Sequence, residues 1–158
     1  MHVPNIDSLR LESMTQETVM KRAQTSEPWV AIVEDDPSVR IALARLLRTE
    51  SICVETFGSA LEFLDACIGE TASQPGRGAR CLVLDIHLGS VSGFELYDRL
   101  VALHSAMPVI LMTAHDEVPT SELSRRGGPY GYLRKPFAGE ALVQLVRSAL
   151  ERSACECS

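Results

Sequence analysis

Between Cys81 and Gly93 the chain reads CLVLDIHLGSVSG. Four apolar, partly branched residues end abruptly in Asp85, and a Gly- and Ser-containing loop then leads into an amphipathic run starting at Gly93. A carboxylate at the mouth of a buried strand is costly there unless a cation, a hydrogen bond or a reaction uses it. The rest of the sequence reads as serving that position.

From Trp29 onward, short apolar runs alternate with amphipathic ones. WVAIV at 29–33 reads as a strand, and Pro37 suits the first turn of a helix that places Val39, Leu43, Leu46 and Leu47 on one face. A half-polar strand at 52–57 follows. Ser59 caps a helix whose buried stripe is expected to comprise Ala60, Leu61, Phe63, Leu64 and Ile68. A polar loop with Gly and Pro at 69–78 returns the chain to the central strand at 81–84. Then come a helix over 93–104, carrying Phe94, Leu96, Tyr97, Leu100 and Leu103, and a strand over 107–112. A weakly anchored helix is expected at 118–126, a fifth strand at 130–134 and a last helix at 139–152 with Leu142, Leu145, Val146 and Leu150.

Five strand-helix alternations in about 120 residues predict an α/β fold, a doubly wound parallel sheet with helices on both faces and right-handed crossovers. One domain is expected from the 158 residues, at 29–150, between a flexible N-terminal extension at 1–28 and a C-terminal tail at 151–158. The segment 1–28 is polar and too sparse in apolar residues to demand a core, and Glu27-Pro28 marks its boundary. It shows neither the basic start nor the apolar stretch of a secretory signal, and no apolar run approaches the ~20 residues of a membrane span, so a cytoplasmic location is expected. Net charge is -6, which argues against a nucleic-acid surface. Of five cysteines, Cys53, Cys67 and Cys81 lie in apolar stretches as small buried thiols do. Cys155 and Cys157 have no further Cys or His at metal-site spacing.

Ligands of such sheets sit beyond the carboxyl ends of the strands. After the first strand come Glu34, Asp35 and Asp36; after the third, Asp85; after the fourth, Thr113; after the fifth, Lys135. Carboxylates gathered at neighbouring strand ends repel one another, and a divalent cation resolves the repulsion. Oxygen donors without His or Cys favour Mg²⁺, which keeps waters and leaves room for a phosphoryl oxygen. A hydroxyl and an ammonium complete the parts for stabilising a transferring phosphoryl group.

The segments VAIVEDDPSVR at 30–40, LVLDIHLGSVSGFEL at 82–96, ILMTAHDEVP at 110–119 and GYLRKPF at 131–137 follow one another at the spacing of a known family. Over 29–150 the chain resembles the receiver domain of two-component response regulators. That resemblance implies a flavodoxin-like receiver fold with strand order 2-1-3-4-5. It makes Asp85 the phospho-accepting aspartate and Glu34 and Asp35 the acidic pair that holds Mg²⁺, together with Asp85 and the backbone carbonyl of His87. Asp36 then falls outside the metal's ligands. Thr113 is the hydroxyl that meets the phosphoryl oxygen, Lys135 the paired cation and Tyr132 the aromatic switch residue. Pro136 matches a position that is often a cis proline. His87 and His115 lie two residues past Asp85 and Thr113, where side chains tune hydrolysis. Two departures stand out: Glu34 where Asp is commoner, and Gly89 in place of a frequent proline, which predicts a softer loop.

The resemblance further implies a non-enzymatic signalling switch. A sensor histidine kinase or phosphotransfer protein donates the phosphoryl group, and a protein target or a second copy reads the surface made by the fourth helix, fifth strand and last helix. No direct contact with nucleic acid or membrane is expected. With eight residues after Leu150, a stand-alone receiver is expected. MTAHDEVP resembles receivers of the nitrogen-fixation regulator type, so the alternative is a truncated transcriptional regulator acting as a dimerising antagonist or phosphate sink. An Asp-nucleophile phosphatase is the enzymatic rival, but it normally carries Asp-x-Asp after the first strand.

Overall fold

In a computed structural model of the chain, the described residues are 28–67, 78–89, 91–103, 105–114 and 129–156. The expected segments 1–27, 68–77 and 118–126, together with His115 and Cys157, lie outside them. Among the described residues five strands form one sheet: β1 (Trp29–Val33), β2 (Cys53–Phe57), β3 (Cys81–Asp85), β4 (Val109–Thr113) and β5 (Gly131–Arg134). They are parallel and ordered β2-β1-β3-β4-β5. Chain order reverses between β1 and β3, and that is where such folds open a crevice.

Both faces of the sheet are covered. In β1, Val30 and Ile32 face a layer made by α1 (Pro37–Thr49) and α4 (Gly139–Glu156), where Leu43, Leu47, Leu142 and Val146 are buried. Ala31 and Val33 face the other layer, made by α2 (Ala60–Cys67) and α3 (Gly93–Ala102), with Phe63, Leu96, Tyr97 and Leu100. A strand buried on both sides has no polar alternation to show, which is why β1, β3 and β4 read as continuous apolar runs. Truncating a fully buried residue such as Leu47 to Ala costs about 2–5 kcal/mol.

Local chemistry sets the helix starts. The Asp36 side chain accepts from the backbone N–H groups of Ser38 and Val39, at 2.8 and 3.3 Å, and Pro37 occupies the first turn, where no N–H is missed. Ser59 accepts from the Glu62 N–H at 3.2 Å and Ser92 from that of Phe94, also at 3.2 Å.

The elements differ from expectation in several places. Helix α3 ends at Ala102, so Leu103 is its C-cap and is exposed. Leu61 is exposed, because α2 docks through Ala60 and Phe63 and a neighbouring residue is turned about 100° away from that line. Cys53 is exposed at the start of the edge strand, where its neighbour Val54 points inward. Strand β4 starts at Val109, since Pro108 has no N–H to give a ladder, and ends on Thr113 itself. Helix α4 continues past residue 152 to Glu156, so part of the expected tail is helical. Its last turns are tied down by Arg152 over the Tyr130 ring and by the Ser153 hydroxyl donating to the Arg80 carbonyl at 3.3 Å.

Candidate functional site

Asp85 is the last residue of β3 and pairs in register with Met112 of β4. Only 4% of it is exposed, so its carboxylate must be met by partners. The His87 N–H donates to Oδ1 at 3.1 Å, and the Lys135 ammonium reaches Oδ2 at 3.4 Å. The turn beneath is closed by Gly93, whose N–H donates to the Ile86 carbonyl at 2.8 Å. A Cβ at Gly93 would lie 2.3 Å from the Asp85 carbonyl oxygen, so glycine is required for α3 to start this close to the strand end.

Glu34 leaves the end of β1 and is buried, 1% exposed. Its N–H donates to the Phe57 carbonyl at 3.1 Å, and its own carbonyl accepts from Arg40 Nη1 at 2.9 Å. Its Oε1 accepts from the Asp36 N–H at 3.2 Å, and its Oε2 meets Lys135 Nζ at 3.0 Å. Asp35, the next residue, is exposed. Carboxylate oxygens of Glu34, Asp35 and Asp85 all lie within 4.8 Å of one another.

Burial pushes the Glu34 carboxyl up; the Lys135 hydrogen bond opposes this and negative Asp85 adds to it, leaving its pKa at about 7. Burial alone would lower Lys135, but its bond to Glu34 and the charge of Asp85 outweigh that and hold its pKa above the ordinary lysine value. Glu34 and Asp85 thus share the Lys135 ammonium, with the Asp35 carboxylate beside them. The donor set is hard oxygen, suits Mg²⁺ and has room for further positive charge, so these residues fit the cation that the sequence implies.

Lys135 follows β5, and its N–H donates to the Thr113 carbonyl at 2.7 Å, which ties the ends of β4 and β5 together. The Lys135-Pro136 bond is cis. Tyr132, on β5, is 39% exposed. The fold therefore gathers Glu34, Asp35, Asp85 and Lys135, places Thr113 at the adjoining strand end and leaves Tyr132 on the flank. The His87 side chain is exposed. Gly89 has φ of 58°, a left-handed conformation closed to proline. Sequence reasoning missed Arg40 and the capping role of Asp36. The signal for the cap was present in an Asp followed by Pro at a helix start, whereas nothing local marks Arg40.

The matches with known proteins agree with this geometry. Residues 30–147 match the family model described as response regulator receiver domain. The chain belongs to that family. It is 36% identical over 123 residues to Nodulation protein W of Bradyrhizobium diazoefficiens, a match that covers 78% of this chain and 51% of that protein. It is 38% identical over 125 residues to the transcriptional regulatory protein FixJ of Azorhizobium caulinodans, covering 79% and 56%. Among solved structures, response regulator StyR superposes with a TM-score of 0.70 at 35% identity, covering 82% of this chain and 62% of that one. The receiver spans a little over half the length of these curated relatives. No helix among its described residues is long and apolar enough to cross a membrane.

Proposed function

We propose that this receiver accepts a phosphoryl group on Asp85 from the phosphohistidine of a sensor kinase or phosphotransfer protein. The observation that carries the reading is the buried Asp85 carboxylate at the central strand end, with Lys135 at 3.4 Å and two further carboxylates beside it. An Asp85 oxygen forms the new O–P bond as the donor's N–P bond breaks, and the departing imidazole nitrogen keeps the electron pair and takes up a proton. Water later attacks phosphorus, releasing inorganic phosphate and restoring the carboxylate.

Mg²⁺ would be held in the pocket of Asp35, Asp85, Glu34 and the His87 carbonyl, where it would neutralise charge on phosphoryl oxygens. Lys135 pairs with a second phosphoryl oxygen and Thr113 donates its hydroxyl to a third. The chain promotes gain and loss of its own phosphoryl group and turns over no separate substrate. It acts in the cytoplasm as a receiver at 29–150, with 1–28 as an N-terminal extension and α4 running on past residue 150.

The output is a protein surface. New bonds from Thr113 and Lys135 to a phosphoryl group favour one of two states by no more than their difference in free energy. Tyr132, exposed on β5, turns inward in the phosphorylated state, and the face formed by β5 and α4 becomes competent for a protein target or a second copy; the helix expected at 118–126 lies outside the described residues. That relatives are named as transcriptional regulators supports control of transcription, through a protein partner, as the outlet of that switch. Comparing free and beryllofluoride-bound protein by NMR tests the proposal. The largest shifts outside the site should fall in 113–137 and be suppressed in Thr113→Ala; shifts spread evenly over α1 and α2 would refute it.

A further inference from the structure

Asp35 is exposed, so packing alone does not hold its carboxylate where it meets those of Glu34 and Asp85. The backbone on either side of it is held instead, and by one residue. Arg40, half-buried in the first turn of α1, donates its backbone N–H to the Asp36 carbonyl at 2.9 Å and its Nη1–H to the Glu34 carbonyl, also at 2.9 Å. The same guanidinium lies against the loop after β2: a Cβ at Gly58 would stand 3.3 Å from Nη1 and 3.8 Å from Cζ. That loop is itself fixed, since the Gly58 N–H donates to Glu62 Oε2 at 2.9 Å and the Phe57 carbonyl accepts from the Glu34 N–H at 3.1 Å.

We propose that Arg40 is a positioning residue for the acidic loop, gripping the residues on both sides of Asp35 from a seat against Gly58 and so raising affinity for a divalent cation that it does not touch. This rests on the reading of Glu34, Asp35 and Asp85 as a cation site. Charge and position act in opposite directions here. A guanidinium beside a cation site repels the cation, so by Coulomb's law alone its removal would tighten binding. Its bond, however, goes to a backbone carbonyl and not to a carboxylate, and a charge-assisted bond of that kind fixes the turn while leaving the acidic oxygens to the cation. A loop fixed before the cation arrives does not have to be ordered by it, so loss of the grip weakens binding. Gly58 belongs to the same device, because a side chain there meets the guanidinium at closer than ordinary contact.

Manganese binding to the whole chain, followed by electron paramagnetic resonance at a temperature where each protein is folded, separates charge from position. Arg40→Ala should weaken binding about tenfold, although a positive charge has been removed. Gly58→Val keeps the charge but fills the guanidinium's seat, and should weaken binding about as much. The double variant should bind as Arg40→Ala does, because the two changes break one contact. In metal-free protein the ¹³C resonance of the Glu34 carbonyl should move upfield in both single variants, a shift that lost stability alone does not produce. Unchanged or tighter manganese binding in Arg40→Ala, or losses that multiply in the double variant, overturns the proposal. If Arg40→Ala does not fold, Gly58→Val decides: either an unmoved Glu34 carbonyl or an unchanged affinity overturns it. A wild type that binds no manganese sinks the cation site and this proposal with it, whereas wild-type binding that Arg40→Ala leaves intact sinks only the proposal.

Discussion

Glu34 and Lys135, 101 positions apart in sequence, meet at 3.0 Å across the carboxyl end of the sheet. Strands β1 and β5 are not neighbours: β3 and β4 lie between them. The long arms of glutamate and lysine close that span, and the buried Asp85 carboxylate lies beneath their meeting point, 3.4 Å from the ammonium. Charge density of this kind is unfavourable for the fold and useful for phosphoryl chemistry, so its cost should be visible in how stability responds to pH, metal and substitution.

The pH response follows from Glu34. Burial lifts its pKa from 4.5 to about 7, so between those values the folded protein holds a proton that the unfolded chain has released. Its contribution is full below pH 4.5, is lost as pH rises to about 7 and changes little above that. Without metal, the melting temperature should fall across this window by the equivalent of about 1–3 kcal/mol. Mg²⁺ favours the carboxylate form and should shrink the fall. A metal-free stability that climbs from pH 5 to 7 at this site would contradict the assignment, and Glu34→Gln tells whether the site is responsible, since it removes the dependence.

Asp36 separates structural from functional acid. Its side chain caps α1 through Ser38 and Val39, and replacement by Ala should cost about 1 kcal/mol of stability. Phosphoryl uptake at a temperature where both proteins are folded should stay within about twofold of wild type. A loss as deep as that of Asp35→Asn would mean that the two adjacent acids have been assigned in the wrong order.

Gly93→Ala should be among the most damaging small substitutions. The added Cβ meets the Asp85 carbonyl oxygen at 2.3 Å and Ile86 Cα at 2.8 Å, both backbone atoms that cannot swing aside. Overpacking of this kind costs about 1–3 kcal/mol or more, a drop of roughly 5–10 °C in melting temperature. Phosphoryl uptake should fall with it, because the displaced backbone carries Asp85, the proposed acceptor. Calorimetry showing an unchanged melting temperature would contradict the close approach.

These residues also show what a sequence can and cannot disclose. Asp85 was legible because an apolar run ends in a charge, and Lys135, Thr113 and the acidic group followed from strand ends that a parallel sheet brings together. The strand order came from the family resemblance, since no local pattern says which strand lies beside which. Leu61 and Cys53 were misread as buried because apolar character does not reveal the docking face of a helix or the exposed end of an edge strand. The bonds of Glu34 to Lys135 and Arg40 were hidden for a related reason: partners in them are fixed by tertiary packing, and Glu34 read only as a metal ligand with an unusually long arm.

The central claim is that Asp85 accepts a phosphoryl group in a Mg²⁺-dependent reaction. The direct measurement is intact-protein mass spectrometry after incubation with acetyl phosphate, with and without Mg²⁺, on wild type and Asp85→Asn, followed by hydroxylamine treatment. Wild type should gain one phosphoryl group only with Mg²⁺ and lose it to hydroxylamine, as an acyl phosphate does, while Asp85→Asn should gain none. A full, Mg²⁺-dependent and hydroxylamine-sensitive label on Asp85→Asn, or no label on folded wild type with Mg²⁺, would contradict it.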